Sequence, residues 1–199
     1  RALDYINKFV EVSETNYKSM KTDEYHKSWY AESLQQKGYY YHFIDYNYEK
    51  SIINYNSAIE LIKDNNTYFR RINLNLSEKK YYEALKDLDY IQSVNKDDPD
   101  IFYKKAYVFE NLNENFKALE NITLAIQKKI ENPNDYYIEN IDGEILDLSD
   151  LYFFRSKINN EVNNVSGYCS DLKLCKNLLN KSDDLYITIN KLIRRNCKN

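Results

Sequence analysis

A chain that repeats itself at a short fixed period cannot build one ordinary core, because each copy must bury its apolar face against the next. This 199-residue sequence has such a period. Ala118 follows Ala84 by 34, and the two sit inside the matching stretches 81–88 and 115–122. The same offset relates Tyr68 to Phe102, Ile72 to Ala106, Leu88 to Ile122 and Ile91 to Ala125. Upstream, Gly38 precedes Ile72 by 34, whereas Tyr48, Ser51, Tyr55 and Ala58 precede Tyr81, Ala84, Leu88 and Ile91 by 33. That difference reads as one residue lost from the turn between the two helices of that copy. A fourth copy is expected from Ser149 onward, with Tyr152 in the place of Tyr68 and Phe102, and Ser156 in that of Ile72 and Ala106. Its second helix follows a polar turn one residue longer, at about 159–166, which makes Cys169 its small residue.

Only 3 Gly and 2 Pro occur, so long helices with short connections are favoured over a turn-rich β fold. Small residues at fixed places let antiparallel helices approach, and aromatics fill the wider gaps. Gly38 and Ala106 supply the first small position, with Ile72 departing; Ser51, Ala84 and Ala118 the second; Ala58 and Ala125 the third, with Ile91 departing. This pattern resembles the tetratricopeptide repeat, most strongly over residues 31–132. The resemblance implies an all-α, right-handed α-solenoid of three to four antiparallel helix pairs plus a capping helix. The expected organisation is one domain, 1–199: a helical segment at 1–30, three repeats at 31–132, an insertion at 133–148, and a divergent fourth repeat with the cap at 149–199. Leu3, Ile6, Phe9 and Val10 share one face of a helix expected over 2–20, and Thr22 or Asp23 caps the next. Leu185, Ile189, Leu192 and Ile193 share a face after a Ser182 cap. In the insertion, Pro133 and Asp142-Gly143 mark breaks; a lengthened helix followed by an ordered surface loop is expected, with a loop that carries a binding determinant as the alternative.

The balance of 28 Lys+Arg against 31 Asp+Glu, net −3, carries no nucleic-acid footprint. The basic cluster Lys191, Arg194, Arg195 and Lys198 complements a helix C-terminal dipole. No run approaches the roughly 18 apolar residues needed to span a bilayer. The chain starts at Arg1 with no initiator Met and no apolar h-region, so the compartment is left open between cytoplasmic and exported or anchored through an upstream segment. The 21 tyrosines accompany many Asn, Lys and Ile, which reads as AT-rich codon usage, with a sticky aromatic surface as the alternative.

Catalytic chemistry has little to stand on. His26 and His42 are 16 apart and share no helical turn. There is no phosphate loop, GxSxG or HExxH. Asp97, Asp98 and Asp100 around Pro99 suit an inter-repeat turn with helix caps better than a cation loop. Cys169, Cys175 and Cys197 lack zinc spacing; buried free thiols are expected, with pairing of Cys197 to Cys169 or Cys175 as the alternative. No enzyme, metal or cofactor is therefore expected.

The resemblance implies instead a scaffold that holds a protein or peptide partner on the concave surface made by the first helix, helix A, of each repeat. The register places Tyr39, Phe69, Asn73, Tyr103, Tyr107, Phe153 and Lys157 there. The aromatics among them either pack between repeats or stay partly open for a partner. Some tetratricopeptide proteins clamp a carboxylate with Lys and Asn, but those places hold Gln35 and Tyr39 here, so a clamp is not supported. The alternative is an architectural subunit of an envelope or secretion-type assembly, with larger and more apolar interfaces.

Overall fold

The computed structural model of the protein describes residues 1–20 and 23–197. Among them are ten helices: α1 (Ala2–Ser19), α2 (Glu24–Phe43), α3 (Tyr48–Leu61), α4 (Asn65–Ser77), α5 (Tyr81–Val94), α6 (Pro99–Asn111), α7 (Asn115–Glu131), α8 (Leu148–Glu161), α9 (Val165–Leu178) and α10 (Asp184–Asn196). Two short strands, β1 (Ile138–Glu139) and β2 (Ile145–Leu146), form an antiparallel hairpin between α7 and α8. The chain forms two compact units, 1–87 and 88–199, and the boundary falls within α5.

In the first unit α1 packs on α2 through Phe9 and Trp29, 5.5 Å apart, and through the buried pair Ser13 and Ser33, whose hydroxyls are 2.7 Å apart. Asp23 caps α2 by accepting from the Tyr25 N–H; Thr22 lies outside the described residues. The α2–α3 pair is tight because Gly38 has no side chain. The ring of Tyr55, wholly buried, lies against it, and the Ser51 hydroxyl donates to the Gly38 carbonyl at 2.8 Å.

The turns correct two expectations. Residues 44–47 join α2 to α3, whereas 78–80, 112–114 and 162–164 join the later pairs. The first copy has therefore gained a residue in its turn, not lost one. Each turn also holds one residue at positive φ: Tyr46, Lys79, Asn113 and Asn163, between 51° and 60°. Asn takes that conformation most easily. Asn163 follows Lys79 by 84, and Tyr168 follows Ala84 by the same offset. The last turn is thus no longer than its neighbours, and Tyr168, not Cys169, fills the small-residue place.

The second unit holds the pairs α6–α7 and α8–α9. Asp98 caps α6 with Pro99 in its first turn. Phe102, Ala106, Ala118, Ile122, Ala125, Leu151 and Ile158 form one apolar core with Ile138 of β1. The insertion is therefore a lengthened α7, 17 residues long, followed by a hairpin whose Ile138 enters the core instead of a loop lying on the surface. At the end, α10 covers α9 with Ile189 buried beside Tyr168, Leu172 and Cys175. Its N-cap is Asp183, not Ser182; Asp183 has turned its carboxylate to the Asn180 N–H. Cys169 and Cys197 form a disulfide with Cα atoms 5.6 Å apart, so the expectation of free thiols holds only for the buried Cys175. The packing of α10 back across α9 brings these two sulfurs together from 28 residues apart.

Candidate partner-binding surface

In the second unit, Tyr103 and Tyr107 are four residues apart on α6, and Phe153 and Lys157 four apart on α8, so each pair shares a helical face. The structure brings all four around one cleft of about 350 Å³, which Glu110, Asn140, Leu146, Asp150 and Phe154 also line. Tyr103 forms its floor: it is 8% exposed and meets Phe154 edge-to-face at 5.7 Å. Burial, and secondarily the charge of Asp100, raises its hydroxyl pKa above the ordinary tyrosine value. Tyr107 and Phe153 are half-buried. Lys157 is exposed, with Nζ 4.6 Å from the Phe153 ring centre, a cation–π contact. Asp150 has its pKa raised by burial, with the charges of Asp147 and Glu144 adding to the effect and a hydrogen bond from the Asp147 N–H opposing it.

The hairpin supplies a wall of this cleft through Asn140 and Leu146. It is fixed by a buried ion pair on α6. Lys104, 1% exposed, donates to Asp100 Oδ1 at 2.8 Å and to the Glu139 carbonyl at 2.9 Å. Asp100 Oδ1 in turn accepts from the Glu139 N–H at 3.1 Å. Asn140 shapes the turn by accepting from the N–H groups of Asp142 and Glu144, and Gly143 takes a φ of 84° there. Sequence reasoning missed Lys104, because its backbone partner lies 35 residues away in an insertion that no other copy repeats.

In the first unit, Tyr39 on α2 is 40% exposed, and Phe69 and Asn73 on α4 are half-buried. The Arg70 guanidinium lies 4.8 Å from the Tyr39 ring centre. Among the described residues no group of His, Cys, Asp and Glu is arranged to hold a metal ion, and no helix is long and apolar enough to cross a membrane.

No family model matches the chain, and no curated protein matches it in sequence. Solved structures do match. BtubC from P. vanneervenii shares 11% identity over 96% of this chain and 82% of its own, with a TM-score of 0.68. TTC0263, a thermophilic TPR protein of Thermus thermophilus, shares 12% over 97% and 93%, with a TM-score of 0.56. The TPR2AB domain of yeast Sti1, in a complex with pHSP90, shares 13% over 99% and 78%, with a TM-score of 0.50. At such identity the likeness is one of architecture, and the architecture of this chain is the all-helical, tetratricopeptide-type α-solenoid fold.

Proposed function

We propose that this chain is a non-enzymatic interaction scaffold that holds a segment of a partner protein on its helix-A surface, with the cleft of the second unit as the principal seat. The observation that carries this reading is the convergence of Tyr107, Phe153 and Lys157 over the buried Tyr103 in one open cleft. Half-buried aromatics offer large contact area with few rotamers to lose, and their polar neighbours orient the guest. Lys157 answers an acidic group on the partner, while Glu110 and Asp150 answer a basic one. An extended segment carrying both signs of charge fits this lining best. The Sti1 domain of similar fold was solved in a complex with another protein, which agrees with such a role. The remaining groove positions, Tyr39, Phe69 and Asn73, give the first unit its own part of the surface.

A photo-crosslinking residue at Tyr107 or Phe153 tests the reading in an extract of the native source. A control at Phe116, 79% exposed on α7, reports random encounter. Discrete adducts from the cleft positions but not from Phe116 are expected. With that partner in hand, Tyr107→Ala weakens binding by about 1–2 kcal/mol. Equal labelling at all three positions, or unchanged affinity, removes the cleft as the seat.

A further inference from the structure

We propose that the first unit carries an oxyanion site, built from Arg70, His42, Asn73 and Tyr55, that takes a carboxylate or phosphate group of a partner. This goes beyond the cleft reading and does not depend on it. The starting observation is a cation without an anion. Arg70 is half-buried on α4, its Nε is buried without an acceptor, and no carboxylate among the described residues pairs with it. The repeat itself shows what is missing. One period further on, the counterpart of Arg70 is Lys104, which has Asp100 four residues before it. At the matching place before Arg70 the chain has the neutral Asn66.

Three more buried polar atoms lack hydrogen-bond partners: His42 Nδ1, Tyr55 Oη and Asn73 Oδ1. Asn73 follows Arg70 by three residues on the same face of α4. The charge of Arg70 reaches both His42 and Tyr55. Burial first, and Arg70 second, hold the His42 pKa down to about 4. Burial pushes Tyr55 up to about 12, with Arg70 and Ser51 near enough to pull it back, yet neither makes a hydrogen bond with its hydroxyl. Native structures rarely leave such groups unpaired.

Tyr55 is there by a paired departure from the repeat. Leu88, Ile122 and Leu172 fill its place in the other copies. A tyrosine fits only because Gly38 lets its ring cross α2, and the crossing delivers a hydroxyl beside Arg70. Three of the four groups share one demand, and the fourth can be turned to it. Arg70 Nε–H, the Tyr55 hydroxyl and a His42 N–H are donors, and half a turn of the Asn73 amide presents its Nδ2 as well. A water molecule answers some of these donors but leaves the Arg70 charge uncompensated, whereas an oxyanion answers both. Tyr39, whose ring lies against Arg70, and Phe43, whose ring lies against His42, are 40% and 36% exposed, with their ring centres 4.6 Å apart. Gln35, where a carboxylate clamp needs a lysine, takes no part.

The test uses the full chain, titrated with sodium phosphate and separately with sodium acetate into the tens of millimolar, against chloride at constant ionic strength. The readouts are the NMR signals of Arg70 Nε–H and of the His42 ring, with His26 as the internal control, and the melting temperature. A saturable shift of Arg70 and His42 but not His26 is expected, with a rise in melting temperature. Arg70→Gln loses both responses, and Tyr55→Phe weakens them several-fold. Response to acetate alone assigns the carboxylate source, to phosphate alone the phosphate source, and either supports the site. No saturable response to either anion, or the same response in Arg70→Gln, overturns it. If Arg70→Gln does not fold, the native titration and Tyr55→Phe still decide. Crosslinking at the cleft is unaffected by any of these outcomes.

Discussion

Gly38 and Tyr55 are a matched pair, and a double-mutant cycle measures the match. A Cβ placed on Gly38 meets two carbons of the Tyr55 ring at 2.7 Å and a third at 3.3 Å. Carbon atoms pack favourably at about 3.5–4.0 Å, so something must move. Tyr55 is 0% exposed, which leaves its ring no free space. Overpacking of this kind costs about 1–3 kcal/mol. Against it, Ala in mid-helix gains about 0.5–1 kcal/mol over Gly. The net expectation for Gly38→Ala is destabilisation by about 1–2 kcal/mol. Tyr55→Leu alone costs about 2–4 kcal/mol through the void it leaves. Together the two changes set an alanine against a branched aliphatic side chain, as Ala106 and Ile122 do two copies on, so the double variant recovers at least about 1 kcal/mol relative to the sum. Urea unfolding followed by far-ultraviolet circular dichroism gives all four corners of the cycle. Additivity within about 0.5 kcal/mol, or a Gly38→Ala variant more stable than the native chain, refutes the packing argument.

The other predictions concern the bridge, a buried acid and the repeat register. The Cys169–Cys197 bridge spans 28 residues; a loop of that size confers about 3–4 kcal/mol by constraining the unfolded chain. Cys197→Ser therefore lowers the melting temperature, and reductant lowers it for the native chain but not the variant; a native melt indifferent to reductant refutes the bridge. Burial pushes the Asp98 pKa up to about 6, above its ordinary 3.8, against the hydrogen bond from the Asp100 N–H and with a smaller push from the Asp100 charge, so the folded state disfavours the charged form. Its penalty is present above about pH 6 and fades as pH falls towards 4, whereas the lowered His42 pKa makes stability decline as pH falls from 6.5 towards about 4. Asp98→Asn, which keeps a capping side chain, should stabilise by up to about 2–3 kcal/mol at pH 7–8 and by little near pH 4; chemical denaturation at both pH values checks it, and no gain at pH 7–8 refutes it. Ala118→Leu should cost about 1–3 kcal/mol by overpacking, since Ala118 is wholly buried in the core, and an unchanged melting temperature would show the register to be wrong.

What the sequence disclosed was what repeats. Ala84, Ala118, Ile122 and Ala125 recur at fixed spacing and are all wholly buried. Repetition fixes helix pairing because every copy must present the same face to its neighbour. A second recurring feature went unread. Arg71 donates to both oxygens of Asp87 at 2.8 and 2.7 Å, and Arg155 to both oxygens of Asp171 at 3.0 and 2.6 Å. The second pair follows the first by the same offset as the turns, and would have set the fourth copy in register without appeal to Cys169. Hydrophobic matching overlooks such charge pairs because their members are polar. The bridge was legible only as an alternative, Cys197 with Cys169 or Cys175, because which cysteines meet depends on how α10 crosses α9 and spacing alone carries no information on that crossing.

Features without a counterpart in the other copies are the ones that give this chain its particular chemistry. A strict repeat has the same helix-A surface in every copy and no means of telling one guest from another. Tyr55 breaks the pattern and carries a hydroxyl to Arg70 in the first unit. The hairpin breaks it in the second and walls a cleft beside α6, where Asp100 and Lys104 hold its backbone. That hold is charged and buried, so loss of either partner strands the other in an apolar setting and releases the wall. The hairpin is too short to stand alone, since a two-stranded ribbon in water is marginal without packing. Its order depends on Ile138 in the core and on the Asp100–Lys104 pair. In the proposed role, a wall held in this way lowers the entropy lost when a guest segment is ordered against it.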